Sequence, residues 1–325
     1  MRQIQGLLKG LIRGLNGRGV SGALFATALA IALLFQACGG ATLTDNAPLT
    51  SDSPISETVD PDAGSGNLDQ LSEEHAGDKP TPTPIAIAEP TVAVTGETVT
   101  YATVDGAAVT GYLAKPTEAP DEARPALITI HEWWGLNDNI EAMTRRLAGE
   151  GYTVLALDLY NDQVATDPEQ ARELLRGVMD APGPAQDNIN QAAEYLRQEQ
   201  NATALGSIGW CFGGNWSLRT GLLLTSELDA MAIYYGQLIL APEALDGLDM
   251  PIIGFFGEDD TSIPVADVNN FESILTDMNK TASIYLYPGV GHAFANPSGQ
   301  NYDAAAAEDA WEKTIAFFNQ HLKSS

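Results

Sequence analysis

The chain is 325 residues long and strongly acidic: 43 aspartates and glutamates against 16 lysines and arginines leave a formal charge of -27. A surface of that sign repels a phosphate backbone, which excludes nucleic-acid binding as its main role. Two cysteines exclude a disulfide scaffold, and 44% hydrophobic residues suffice for a full globular core.

The first elements concern address. Arg2, Lys9, Arg13 and Arg18, with no acidic residue among them, precede an apolar run over residues 23–35. That run is short for a membrane span and right for a signal-peptide core. It leads into Leu34-Phe35-Gln36-Ala37-Cys38, which resembles a bacterial lipoprotein box. Residues 1–38 are therefore expected to form a signal peptide with lipidation at Cys38, an uncleaved N-terminal anchor being the alternative. Either would export the protein and tie it to a membrane surface on the extracytoplasmic side. Residues 39–96 are rich in Ala, Thr, Ser, Pro, Asp and Gly, include Lys79-Pro80-Thr81-Pro82-Thr83-Pro84, and read as a disordered spacer. His75 falls in this stretch and is expected to be solvated, as is His321 near the C-terminus.

Residues 97–325 are of the right size for one catalytic domain. Residues 97–115 alternate around Asp105-Gly106 like an opening hairpin. Strands over 126–130, 152–157, 204–208, 228–235, 250–256 and 282–287 then alternate with helices over 137–150, 185–200, 265–278 and 304–321. A further helical stretch runs from Asp167 to Asp180, within a lid-like region that shapes the pocket. Such alternation predicts an α/β fold with a mostly parallel, doubly wound sheet and helices on both faces.

The chemistry collects at strand ends. Gly209-Trp210-Cys211-Phe212-Gly213 follows an apolar strand and opens a helix, which is the pattern of a nucleophile elbow with cysteine in the serine place. The residues two positions either side must be small because the turn is tight, and both are glycine. The strand over 250–256 ends in Gly257-Glu258-Asp259-Asp260, where Asp260 is chosen as the catalytic acid over its neighbour Asp259. The last strand leads into Gly289-Val290-Gly291-His292, a glycine-rich loop where a catalytic base belongs. His131 is expected to be a packed loop histidine. No metal site follows from the four histidines, and no cofactor is expected.

Together these residues resemble the dienelactone hydrolase family, cysteine-nucleophile members of the α/β-hydrolase fold. The resemblance rests on the elbow, on His131-Glu132-Trp133-Trp134-Gly135-Leu136-Asn137, on Asp158-Leu159-Tyr160, on Tyr234-Tyr235-Gly236, on Asp260 and on Gly291-His292-Ala293-Phe294. It implies a hydrolase acting on a small-molecule ester or lactone through Cys211, His292 and Asp260. It also implies that Glu132 lies close to the thiol and controls its ionisation, and that the backbone amides of Trp133 and Phe212 form the oxyanion hole. Trp134, Tyr235 and Phe294 are expected to line an aromatic substrate site. Asn296 and Ala293 stand where dienelactone-cleaving members have an arginine and a serine, so a substrate other than dienelactone is expected. Arg172 and Arg176 are read as a solvated helix face. Acyl transfer or thioester cleavage by the same residues, and a non-catalytic binding lipoprotein, are the competing readings.

Overall fold

The computed structural model describes residues 65–75, 77–78 and 90–323, all within one compact unit, Ser53–Ser325. The expected signal peptide and Cys38 lie outside the described residues. The hairpin is formed by β1 (Val94–Val104) and β2 (Ala107–Pro116). Asp105 and Gly106, both at positive φ (50° and 81°), make the two-residue turn that matches the twist of paired strands.

Six further strands complete a single sheet: β3 (Arg124–Ile130), β4 (Thr153–Leu157), β5 (Ala202–Trp210), β6 (Ala230–Tyr234), β7 (Ile252–Gly257) and β8 (Ala282–Tyr287). Their order is β1-β2-β4-β3-β5-β6-β7-β8. β2 runs antiparallel to β4, and every pair from β4 to β8 is parallel. β4, β6 and β7 are buried along their whole length, as strands covered by helices on both faces must be, which is why they read as continuous apolar runs.

The helices are α1 (Ser65–Glu74), α2 (Asp138–Gly149), α3 (Pro168–Asp180), α4 (Gly183–Gln198), α5 (Phe212–Leu223), α6 (Val265–Asp277) and α7 (Ala304–Leu322). Local chemistry starts three of them. Asn137, Asp167 and Asp303 each accept from amides of the first turn, at 3.1 and 3.3 Å for Asn137, 2.9 Å for Asp167 and 2.8 Å for Asp303. Among the described residues no helix is long and apolar enough to cross a membrane.

The architecture is the expected α/β-hydrolase one. Helix α1 is the departure, because it lies in the stretch read as a disordered spacer. Its residues are mostly polar, and it buries Leu71 in the core. It is held by that leucine and by hydrogen bonds to groups distant in sequence.

Candidate active site

β5 ends at Trp210 and α5 begins at Phe212, so Cys211 alone makes the turn between them, at φ 56° and ψ -117°. For a residue with a side chain this is strained backbone, and it persists because the surroundings over-determine it. The Cys211 amide donates to the Tyr234 carbonyl at 3.0 Å, and the amides of Gly214 and Asn215 donate to the Cys211 carbonyl. The glycines permit this packing. A Cβ at Gly209 would overlap the Gly213 carbonyl, and one at Gly213 would sit 2.6 Å from the His131 carbonyl oxygen. The elbow therefore lies directly on the end of β3, beside the loop that carries Glu132 and Trp133. Phe212 is the first residue of α5, where amides have no partner inside the helix. Two other non-glycine residues at positive φ, Tyr235 (36°) and Ala293 (59°), follow strand ends around the same point.

The loops after β7 and β8 deliver the remaining groups. Asp260 is buried and Asp259 exposed. One Asp260 oxygen accepts from the amides of Ser262 and Ile263, both at 2.8 Å, and the other faces His292 Nδ1 at 2.8 Å. His292 Nε2 is thereby left facing inward, buried and without a hydrogen-bond partner among the described residues. It lies within 4.8 Å of Cys211 Sγ.

The structure adds a histidine that was expected to be solvated. His75, just past α1, is fully buried, and its Nε2 lies 3.7 Å from Cys211 Sγ. Its Nδ1 is bonded to the Asp78 carboxylate, and its ring stacks on Trp133 with centroids 4.6 Å apart. The reading of His75 as solvated is corrected by this contact. Three donor atoms, from His75, Cys211 and His292, come within 4.8 Å of one another. A soft divalent cation could use that proximity, and so could a thiolate–imidazolium pair, which the two histidine–carboxylate contacts would support.

The electrostatics follow from these contacts. Burial pushes the Cys211 thiol up, but His292 and then His75 more than offset it and hold the thiol at about 6. Burial works against charge on His292, yet Asp260 and the thiol keep it well above the usual imidazole range. Burial likewise opposes charge on His75, which its bonds to Asp78 and to the thiol raise to about 9. Glu132 is pushed up to about 8 by burial and by the adjacent thiol. Its two oxygens are held by Asn296 Nδ2 at 2.7 Å and by the Tyr235 hydroxyl at 3.5 Å.

The other expected residues are placed as follows. His131 is a packed loop histidine, with Nδ1 on the Glu132 carbonyl at 2.6 Å and Nε2 accepting from the Leu159 amide at 3.2 Å; burial lowers it to about 4. Trp134 is buried beside Trp133, and the indole N–H of each lacks a partner among the described residues. Phe294 packs between Tyr235 and Tyr287 and is fully buried. Arg176 is exposed as expected, whereas Arg172 donates to Ser72 Oγ of α1 at 2.6 and 3.1 Å. Sequence reasoning missed His75, Asp78 and the bond from Asn296 to Glu132. The one available signal was a histidine followed three residues later by an aspartate, at the end of a helix-compatible stretch inside the polar spacer.

Known proteins resemble about two thirds of this chain. The Dienelactone hydrolase family matches residues 109–322. Relatives named for carboxymethylenebutenolidase include one from Saccharolobus solfataricus, 30% identical over 67% of this chain and 96% of its own length. Another, from Synechocystis, is 33% identical over 66% of this chain and 93% of its own. A crystal structure of a dienelactone hydrolase-type protein from Klebsiella pneumoniae superposes with a TM-score of 0.63 at 26% identity, covering 70% of this chain and 99% of that one. With an elbow cysteine, a histidine on aspartate and a buried glutamate at the ends of one mostly parallel sheet, the chain belongs to the dienelactone hydrolase family.

Proposed function

We propose that this dienelactone hydrolase-type enzyme cleaves a small ester or lactone through a thioester on Cys211. The observation that carries the reading is the strained elbow thiol held near an imidazole that a buried carboxylate orients. In this route the Cys211 thiolate attacks the carbonyl carbon, and the oxyanion is received by the amides of Trp133 and Phe212. Each well-placed donor of this kind contributes about 3 kcal/mol to the transition state. The tetrahedral intermediate collapses, the alkoxide leaves with a proton from an imidazolium, and Cys211 carries the acyl group. His292, with Asp260 on its Nδ1, then takes a proton from water as it attacks the thioester. The acid departs, and the proton on His292 returns to the sulfur.

The chemistry around the thiol favours an uncharged acyl group. Asn296 is a neutral amide, already donating to Glu132, and offers no cation to a substrate carboxylate. Arg172 is engaged with α1 and Arg176 is exposed. Trp133, Trp134 and Tyr235 make the surroundings aromatic. The N-terminal charge pattern, apolar run and Cys38 support export and a lipid anchor, which would present this hydrolase to substrates outside the cytoplasm.

The test is hydrolysis of short-chain aryl esters and small neutral lactones by the full chain, with Cys211→Ala and His292→Ala alongside. Removal of the nucleophile should lower turnover by about 10⁴-fold or more. Parent-like turnover by Cys211→Ala would end the thioester reading.

A further inference from the structure

Two histidines, not one, face the reacting sulfur, and the second comes from a segment outside the sheet. His75 Nε2 is 3.7 Å from Cys211 Sγ, while Nδ1 is taken by Asp78. Because the carboxylate accepts the Nδ1 proton, Nε2 is the nitrogen left to share a proton with the thiol. The ring is wedged between Trp133, stacked at 4.6 Å, and His292, edge-on at 5.3 Å.

The segment is tied to the loops that carry the predicted acid and base. Glu74 accepts from the Thr261 amide at 3.0 Å, next to Asp260, and from Asn301 Nδ2 at 3.0 Å. The same Asn301 amide donates to the His292 carbonyl at 3.1 Å. Asp78 also accepts from the Gln300 amide at 2.8 Å. Burying a histidine–carboxylate pair carries a desolvation cost that an apolar side chain covering Trp133 would avoid. Packing alone therefore does not account for His75.

We propose that His75, oriented by Asp78, is a catalytic residue that ionises Cys211, leaving His292 and Asp260 for the water step. The inference rests on the thioester route above. His75 Nε2 takes the thiol proton and pairs with the thiolate. Sulfur bonds to the acyl carbon, the carbon–oxygen bond to the leaving group breaks, and the imidazolium of His75 returns its proton to the alkoxide. His292, held through Nδ1 by Asp260, deprotonates the incoming water and later protonates the departing thiolate. That proton then passes back to His75, so the sulfur and both histidines end the cycle as they began.

The experiment is the pH dependence of Cys211 alkylation by iodoacetamide in the full chain, read on the Cys211 peptide, together with ester turnover. The groups facing the sulfur are His75, His292, Glu132, Tyr160 and Tyr235. The variants are His75→Asn, Asp78→Asn and Cys211→Ala. His75→Asn should move the alkylation midpoint upward by about one pH unit and lower turnover by about 100-fold, with Asp78→Asn moving both the same way by less. If His75→Asn melts well below the parent, Asp78→Asn carries the test. An unchanged midpoint in the folded variants overturns the proposal, whatever happens to turnover. Faster alkylation and faster turnover overturn it too, and make the segment a plug. Activity surviving in Cys211→Ala would instead mean that the thioester route itself has failed.

Discussion

The strand ends of the sheet and the segment of residues 65–78 meet at one sulfur, yet they are held there by different forces. The elbow is fixed by backbone packing: glycines that admit no Cβ, a cysteine at positive φ, and buried apolar strands on either side. The covering segment buries Leu71 and is otherwise fixed by polar contacts, through Glu74, Asp78 and the pair formed by Arg172 and Ser72. Rigid backbone sets the position of Cys211, and hydrogen bonds set most of what surrounds it. The first arrangement fails all at once when disturbed, while the second should loosen by degrees.

The sharpest way to break that contrast is Gly213→Ala. Its methyl group would overlap the Ile130 carbonyl and lie 2.6 Å from the His131 oxygen, with backbone on both sides and nothing able to give way. A loss of about 3–5 kcal/mol is expected, seen as a large fall in thermal midpoint or as failure to accumulate folded protein.

That region was also the most legible in the sequence. A turn that tolerates only glycine leaves glycines in the chain, and strands covered on both faces leave unbroken apolar runs. Cys211, Asp260 and His292 could be located from such local marks, and Asp260 could be separated from Asp259 by its distance from Gly257 and Pro264. The covering segment left no such mark. Its position depends on Thr261, Gln300 and Asn301, more than 180 residues away in the chain. Composition records that a segment is polar, but not which distant polar groups will receive it. Asn296 was hidden in another way: it was weighed against a substrate, and its partner turned out to be Glu132.

A smaller effect is expected at Glu132, where the two regions share one buried electrostatic environment. Folding raises this carboxyl from its ordinary 4.5 to about 8, chiefly by burial, so folding favours the neutral form. The contribution is fully present below about pH 4.5 and is lost as the pH rises through about 8. Glu132→Gln keeps the neutral shape and removes the charge. The variant should melt like the parent near pH 5 and gain on it by about 2–4 kcal/mol by pH 9. Thermal melts across that range check the sign, and a gain at pH 5 that vanishes at pH 9 would contradict it.

The mildest change is Arg172→Ala, which removes the guanidinium contact with Ser72 and leaves the elbow untouched. A stability loss of about 1 kcal/mol is expected. Limited proteolysis should cut first within residues 65–78 while the sheet stays intact. Simultaneous loss of both would mean that the two regions are one cooperative unit.

The most direct test of the account is the intact mass of the protein during turnover of an aryl ester, with His292→Ala used to slow release of the acyl group. One acyl group on the Cys211 peptide, accumulating in His292→Ala and absent from Cys211→Ala, is the expected result. Product release with no adduct on Cys211, or an adduct that forms elsewhere and survives in Cys211→Ala, would contradict it.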